Sequence, residues 1–295
     1  MSGSSGLRVS VPILGAMGFG TPEWQPWVLD EEKSIEVLKA SWDRGINTID
    51  TGNAYSNGES ERIIGKFIKK YNIPRSQLII LTKVYSIVAE EPSTQGWFPV
   101  HFEHERRYVN QGGLSRAASL IKSTGVSNVS RRQETMKALH DLVQSGKVRY
   151  IGGSSMRAWQ FAHLNEVAAK NGWTKEDERE MHAYCRFNGI GIIPWGPLHG
   201  GALARPVGVV TTRAEAYKNT PLAFNASEAE RTIISRVEEL SKKHGVPMAT
   251  IALSWVAAKV ASPIVGTTSV KRLDDNIPNP NLKLSEEEVK YLEEP

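Results

Sequence analysis

Residues 46–83 carry a strand–helix–strand pattern that constrains the fold more than any other part of the sequence. Two short runs rich in Ile and Leu, 46–50 and 78–83, end on Asp50 and Lys83, and an amphipathic segment separates them. The pattern predicts two parallel strands joined by a helix. Because the carboxyl ends of such strands meet at one edge, Asp50 and Lys83 should lie side by side there, with Tyr55 in the adjacent loop.

These three side chains suit proton transfer to a carbonyl oxygen. A free Tyr phenol has a pKa of about 10. A neighbouring Lys ammonium stabilises the phenolate and lowers that pKa, and an Asp paired with the Lys holds the ammonium in place. Taken singly, each residue is better explained as ordinary turn chemistry or as a solvated strand end. The combination, however, predicts a proton donor.

The sequence around the trio resembles the signature of the aldo-keto reductase family, and most of all its aryl-alcohol-dehydrogenase-like branch of fungi and bacteria. The matching residues are Asp50-Thr51-Gly52-Asn53-Ala54-Tyr55, Gly58-Glu59-Ser60-Glu61 and Leu81-Thr82-Lys83. The resemblance implies an α/β fold, a (β/α)8 TIM barrel, that reduces aldehydes or ketones with NADPH. It also implies that Tyr55 is the proton donor, that Lys83 depresses its pKa and that Asp50 orients Lys83.

Residues 263–276 form a second signal. A strand there leads into a small polar turn that opens a helix, whose free N–H groups can bind phosphate. Arg272 offers a planar guanidinium for a 2′-phosphate, which favours NADPH over NADH. On spacing alone, a hydroxyl-capped helix with a surface Arg explains the segment equally simply. By resemblance, the adenosine phosphate end of the cofactor is held here, by Gly266, Thr268, Ser269, Arg272 and Asn276.

The remaining cofactor contacts are implied by the resemblance. A Gly-rich turn after the first strand would lie against the nicotinamide, a pair of serines would hold its carboxamide, and an aromatic residue would stack on its ring. These residues are Gly18, Phe19 and Gly20; Ser154 and Ser155; and Trp195 with Gly196 and Leu198. Trp195 is equally compatible with a core position. Gly196 stands where the family usually carries Ser or Ala.

The strand pattern predicts an incomplete barrel. Residues 1–10 are expected to be a flexible N-terminus and 11–295 a single NADP-dependent oxidoreductase domain. Six strands are recognisable, but no fourth strand appears between 119 and 133, and no sixth follows residue 173. We therefore expect two internal segments of a full barrel to be missing or replaced. The predicted strands are 11–15, 46–50, 78–83, 147–155, 189–195 and 262–266.

Composition narrows the class of protein. The net charge of +4 is scattered, which disfavours nucleic acid as a partner. No apolar run approaches the ~20 residues needed to span a bilayer. The single Cys185 excludes an intrachain disulfide and favours a reducing, cytoplasmic compartment. His101 and His104 lack a further ligand, so no metal is expected. The expected partner is a small carbonyl substrate.

Three functions remain compatible with the sequence. The first is an NADPH-dependent carbonyl reductase, with activity impaired by the missing segments. The second is a non-catalytic NADP(H)-binding or regulatory subunit, and the third is a truncated isoform that folds poorly. The long loop 85–113 is expected to overhang the mouth of the barrel and shape the substrate pocket, and the alternative is a disordered insert.

Overall fold

Four short parallel strands form the sheet on which the rest of the chain is built. The computed structural model describes residues 6–83, 129–154, 158–173, 185, 187–220 and 226–294, and the statements below refer to these residues. The strand order in the sheet is β3-β2-β1-β4, and every pairing is parallel. The strands are β1 Ile13–Gly15, β2 Thr48–Asp50, β3 Ile79–Leu81 and β4 Ile264–Gly266.

Eight α-helices are found in the described part of the chain. They are α1 Glu31–Asp43, α2 Glu59–Lys70, α3 Val129–Gln144, α4 Ala158–Lys170, α5 Thr212–Tyr217, α6 Glu228–His244, α7 Met248–Ala257 and α8 Glu286–Glu293. Short 3-10 turns cover Tyr55–Gly58, Arg75–Gln77, His199–Ala204 and Val270–Arg272. Helix α2 thus connects β2 to β3, as the strand–helix–strand pattern predicted.

Local sequence explains where the helices begin and end. Asp30 caps α1 by accepting a hydrogen bond from the Lys33 N–H. Ser285 and Glu288 form a capping box at the start of the last helix. Helix α6 ends at Gly245, whose left-handed backbone has a φ of 63°.

The strand register brings the predicted site residues to one edge. Gly15 pairs with Asp50 and also with Gly266, while Asp50 pairs with Leu81. The carboxyl ends of all four strands therefore lie level. In parallel α/β sheets this edge carries the functional loops.

Two of the six predicted strands are not strands. Between residues 147 and 154, only Val148 and Gly152 take part in a β-bridge. Residues 190–195 run extended beside β4, with Ile192 and Pro194 accepting backbone hydrogen bonds and Trp195 bridging Ile264. Pro194 has no N–H to donate, so this ladder cannot continue.

The predicted gaps coincide with undescribed residues. Most of the stretch 119–133 and residues 174–184 lie outside the described ranges, as do the long loop 85–113 and residue Ser155. Within the described ranges the sheet has four strands rather than the predicted six, which fits an incomplete barrel of the (β/α)8 class.

Separate apolar clusters hold the fold together. The largest lies between the sheet and helices α1 and α2, where Phe19, Ile63 and Phe67 are almost fully buried. Helices α3 and α4 enclose a second cluster around Met136 and Phe161. A third cluster joins α6, α7 and α8.

Hydrogen bonds attach Ser10 to the rest of the fold. The Ser10 N–H donates to the Thr48 hydroxyl at 3.0 Å, and the Ser262 hydroxyl donates to the Ser10 carbonyl at 2.8 Å. These bonds attach Ser10 to β2 and to the segment that leads into β4. Cys185 is buried. In the described ranges, no helix is long and apolar enough to cross a membrane.

Glu288 joins the last helix to α6. Its carboxylate accepts a hydrogen bond from Lys243 at 2.8 Å and pairs with His244 Nε2 at 2.7 Å. The second carboxylate oxygen accepts from the Ser285 N–H at 2.9 Å. These hydrogen bonds, with that from Lys243 foremost, hold the pKa of the Glu288 carboxyl down at about 2.

We expect Glu288→Gln to lower the free energy of unfolding by about 1.5–3 kcal/mol at neutral pH, because it removes hydrogen bonds between charged groups. The folded-state pKa lies below the ordinary value of 4.5, so this stabilisation is present above that pH and is lost as the pH falls toward 2. Urea unfolding at a series of pH values measures the difference. The exposed Glu287→Gln, in the same turn, is the control. Equal losses in both variants would contradict the assignment.

Candidate active site

Asp50 and Lys83 form a buried ion pair at the ends of β2 and β3. Lys83 Nζ lies 2.6 Å from Asp50 Oδ2, and the two side chains are 10% and 5% exposed. The same ammonium donates to the Thr51 carbonyl at 2.6 Å. Two short hydrogen bonds from a buried cation fix its position, since desolvated charges require partners of this kind.

Tyr55 lies directly beside this pair. Lys83 Nζ is 4.9 Å from the centre of the Tyr55 ring. The Tyr55 side chain is half-buried, in the 3-10 turn that follows β2. The structure therefore brings together all three residues that the sequence pattern singled out.

The turn that holds Tyr55 is packed tightly against the glycine segment after β1. A Cβ at Gly20 would lie 1.9 Å from Ser56 Oγ and 2.1 Å from Ser56 Cβ. Only glycine permits this approach. The Thr21 N–H also donates to Ser56 Oγ at 3.3 Å. The position of the Tyr55 turn thus depends on Gly20.

The predicted phosphate-binding turn follows β4 at the same edge. Arg272 Nη2 donates to the Thr268 hydroxyl at 3.3 Å. A Cβ at Gly18 would lie 3.2 Å from Thr268 Cγ2, so the glycine segment and this turn are in contact. Ser269 precedes the 3-10 turn Val270–Arg272, which stands where a helix was predicted, and its side chain makes no capping hydrogen bond. The Asn276 N–H is hydrogen-bonded within the segment. Gly266 is the exposed last residue of β4.

Arg205 is a basic residue that the sequence analysis missed. Burial first, and then the nearby Arg272 guanidinium, lowers the pKa of Arg205. Its Nη1 donates to the Gly201 carbonyl at 3.2 Å. Two guanidinium groups held close together at a loop edge attract an anion. The signal available in the sequence was a basic residue closing the Gly-rich turn that follows Trp195.

The other predicted contacts are placed as follows. Trp195 is 67% exposed, which excludes the core alternative and leaves its ring open to a ligand. Gly196 has a φ of 65°, and Leu198 precedes the 3-10 turn His199–Ala204. Phe19 is fully buried in the main core, so only its backbone can face a ligand. Ser154 is buried and lies outside the four-stranded sheet.

These groups fit a nicotinamide dinucleotide. Asp50 Oδ1 is buried without a hydrogen-bond partner and offers an acceptor to a hydroxyl group. Arg272 and Arg205 supply positive charge near hydroxyl side chains, which suits phosphate. The exposed Trp195 ring suits a flat heterocycle. Across the described ranges, no three His, Cys, Asp or Glu side chains converge into a group that could hold a metal ion.

Comparison with known proteins supports the same interpretation. Residues 13–295 match a family model described as the Aldo/keto reductase family. Aldo-keto reductase AMT2 of Alternaria alternata is 45% identical over 334 residues, covering 99% of this chain and 90% of its own length. Versiconal hemiacetal acetate reductase of Aspergillus parasiticus is 41% identical, covering 99% and 95%. Putative aryl-alcohol dehydrogenase AAD16 of Saccharomyces cerevisiae is 37% identical, again covering 99% and 95%.

The alignment lengths bear on the incomplete barrel. The match to the Alternaria protein extends over 334 positions, although this chain has 295 residues. Part of that relative therefore has no counterpart here. This surplus agrees with the prediction that internal segments of a full barrel are missing or replaced.

We expect Lys83→Met to lower the free energy of unfolding by about 3–5 kcal/mol, because it leaves the buried Asp50 carboxylate unpaired. The double variant Asp50→Asn/Lys83→Met should recover much of that loss, because no uncompensated charge remains. Chemical denaturation of the two single variants and the double variant completes the cycle.

The exposed pair of Lys39 and Asp43, which are 35% and 52% exposed, provides the control. Lys39→Met should cost only about 0.3–0.5 kcal/mol, as exposed pairs on a helix do. Losses at Asp50 and Lys83 that simply add in the double variant would show that the buried pair is not coupled.

Proposed function

We propose a specific reaction for this chain, which belongs to the aldo/keto reductase family: NADPH-dependent reduction of an aldehyde or ketone to an alcohol, with Tyr55 as proton donor. Membership in the family makes the chain an oxidoreductase that reduces carbonyl groups of small molecules with a nicotinamide cofactor. The observation that carries the finer proposal is the contact between the buried Lys83–Asp50 pair and the Tyr55 ring.

Tyr55 is assigned the transfer of a proton from its hydroxyl group to the carbonyl oxygen of the substrate. A carbonyl oxygen gains negative charge as its carbon is reduced, and a positioned acid removes that charge in the transition state. Lys83 stabilises the phenolate that remains, because its ammonium lies against the Tyr55 ring. Asp50 and the Thr51 carbonyl keep the ammonium oriented through their 2.6 Å hydrogen bonds.

The cofactor supplies hydride to the carbonyl carbon when it is bound. On this chain, we assign the nicotinamide end to Gly18, the Phe19 backbone, Gly20 and Trp195 with Gly196 and Leu198. Ser154 is assigned to the carboxamide, as is Ser155, which lies outside the described residues. The adenosine phosphate end is assigned to the turn formed by Gly266, Thr268, Ser269, Arg272 and Asn276. Arg272 favours NADPH because a guanidinium group pairs well with a 2′-phosphate.

The substrate is assigned only by class. The names of relatives, which include an aryl-alcohol dehydrogenase and a hemiacetal acetate reductase, favour aromatic or cyclic carbonyl compounds. The exposed Trp195 ring suits an aromatic partner. We also propose a cytoplasmic location, because the sequence has a single cysteine, Cys185, and so no intrachain disulfide.

We expect Tyr55→Phe to lower kcat for an aromatic aldehyde by about 10²–10⁴-fold, because the general acid is lost while the ring remains. The dissociation constant for NADPH, measured by fluorescence quenching, should stay unchanged. Tyr71→Phe removes a hydroxyl from an exposed tyrosine and is the control. Full turnover by Tyr55→Phe would refute the assignment.

We expect Arg272→Gln to weaken NADPH binding roughly 10- to 100-fold, since a charge-assisted hydrogen bond contributes about 1.5–3 kcal/mol. Binding of NADH, which lacks the 2′-phosphate, should change little. Fluorescence titration with both nucleotides measures the ratio. Lys271→Gln, at the exposed neighbouring position, is the matched control. Equal weakening of NADPH and NADH binding would show that Arg272 does not select the phosphate.

A non-catalytic NADP(H)-binding protein is the second candidate. It is favoured by the incomplete sheet and by the part of the Alternaria relative that has no counterpart in this chain. A missing strand removes side chains from the mouth of a barrel while leaving those on other strands in place. Stoichiometric NADPH binding without aldehyde turnover in the parent chain would select this candidate over the first.

A further inference from the structure

The first turn of helix α2 contacts the ends of three strands. Ser60 and Glu61 are consecutive residues there, and each is hydrogen-bonded to a different part of the strand edge that carries the catalytic trio. The partners in these hydrogen bonds are Ala16 and Thr82, not Tyr55. The effect of Ser60 and Glu61 on the site would therefore act through other residues.

Ser60 links the ends of β1 and β2 through a buried chain of hydroxyl groups. Its hydroxyl donates to the Ala16 carbonyl at 2.9 Å and lies 2.9 Å from Thr51 Oγ1. Because Ser60 has a single hydroxyl hydrogen, Thr51 must be the donor in the second bond. Both side chains are fully buried, so no water competes for these bonds.

Thr51 carries this restraint to Lys83. Its backbone N–H donates to the Leu81 carbonyl at 2.7 Å, and its carbonyl accepts from Lys83 Nζ at 2.6 Å. The Thr51 peptide is thus one of the groups that fix the ammonium. Its hydroxyl, held by Ser60, sets the orientation of that peptide.

Glu61 acts on the neighbouring strand. Its carboxylate accepts a hydrogen bond from the Thr82 hydroxyl at 2.5 Å, and Thr82 directly precedes Lys83. Burial raises the pKa of Glu61, while Thr82 and the Lys83 charge act in the opposite direction. The carboxyl group therefore lies in a desolvated position within electrostatic reach of Lys83.

We propose that Ser60 and Glu61 are positioning residues, which hold the Thr51 carbonyl and the Thr82–Lys83 backbone so that the Lys83 ammonium stays against Tyr55. The inference rests on the proposed function, in which Tyr55 and Lys83 carry the proton transfer. It gives Ser60 and Glu61, which belong to the sequence signature, a structural role in catalysis.

Two pairs of variants test the proposal. Thr51→Val keeps the shape of the side chain but breaks the hydroxyl chain, whereas Thr51→Ser keeps the hydroxyl. Glu61→Ala removes the acceptor for Thr82, whereas Glu61→Gln retains an amide oxygen in its place. Ser60→Ala, outside the two pairs, removes the Ser60 hydroxyl itself.

We expect Thr51→Val, Glu61→Ala and Ser60→Ala each to lower kcat roughly tenfold, because small displacements of a catalytic group are costly. Thr51→Ser and Glu61→Gln should retain most of kcat.

Two further readouts separate positioning from a merely structural role. The KM and dissociation constant for NADPH should remain those of the parent, because the adenosine phosphate turn is untouched. The second readout is rescue of kcat by Thr51→Ser and Glu61→Gln, which keep the hydrogen-bonding atoms. A loss of folded protein would instead appear as a lower melting temperature.

The melting temperature of Glu61→Gln tests whether substitution at this position destabilises the fold. Because burial raises the pKa of Glu61, its ionised form costs stability as the pH rises above the ordinary value, and the amide does not carry that cost. Its melting temperature at neutral pH should therefore not fall below that of the parent.

The outcomes are distinguishable. If Tyr55→Phe is inactive while Thr51→Val, Ser60→Ala and Glu61→Ala match the parent in kcat, the positioning proposal is overturned and the proposed function stands. If Tyr55→Phe keeps full turnover, or if the parent is inactive, the proposed function fails, and this inference fails with it. Equal losses in Thr51→Val and Thr51→Ser would also overturn it.

Discussion

The buried pairing of Lys83 with Asp50 is the interaction on which the site depends. An ammonium and a carboxylate that are only 10% and 5% exposed lie 2.6 Å apart, so each compensates for the burial of the other. Their strands must therefore be parallel, adjacent and in register, which is what the pairing of Asp50 with Leu81 provides. The strand pairing thus determines where the Lys83 ammonium lies, and with it the chemistry proposed for Tyr55. Displacing either strand by one residue would leave a charge without a partner.

The same edge of the sheet also collects the groups suited to a dinucleotide. The pairing of Gly15 with Gly266 places the turn after β4 next to the glycine segment after β1, and Gly18 and Thr268 meet there. Within the described residues, the groups proposed to hold the nucleotide thus lie at one edge of a four-stranded sheet.

Much of this arrangement follows from short stretches of sequence. The run ending at Asp50, the run ending at Lys83 and the amphipathic helix between them predicted the sheet edge, because apolar periodicity and polar termini are local properties. The strand predicted over residues 189–195 is wrong, because a strand also requires hydrogen-bonding neighbours. Pro194 interrupts the ladder with β4. The hydrogen bonds made by Ser60 and Glu61 were not predictable, because they depend on contacts between separate elements. The sequence marks Arg205 only as a basic residue that closes a Gly-rich turn.

The helical pair α3–α4 encloses its own apolar cluster around Met136 and Phe161, distinct from the cluster beneath the sheet. A block with its own core does not need an unbroken sheet in order to stay folded. In evolution, such a chain can tolerate excision of sequence at the borders of the block, where loss of a strand leaves the internal packing of each block unchanged. Modular packing of this kind offers a physical route by which a barrel enzyme can shed a strand without immediate collapse.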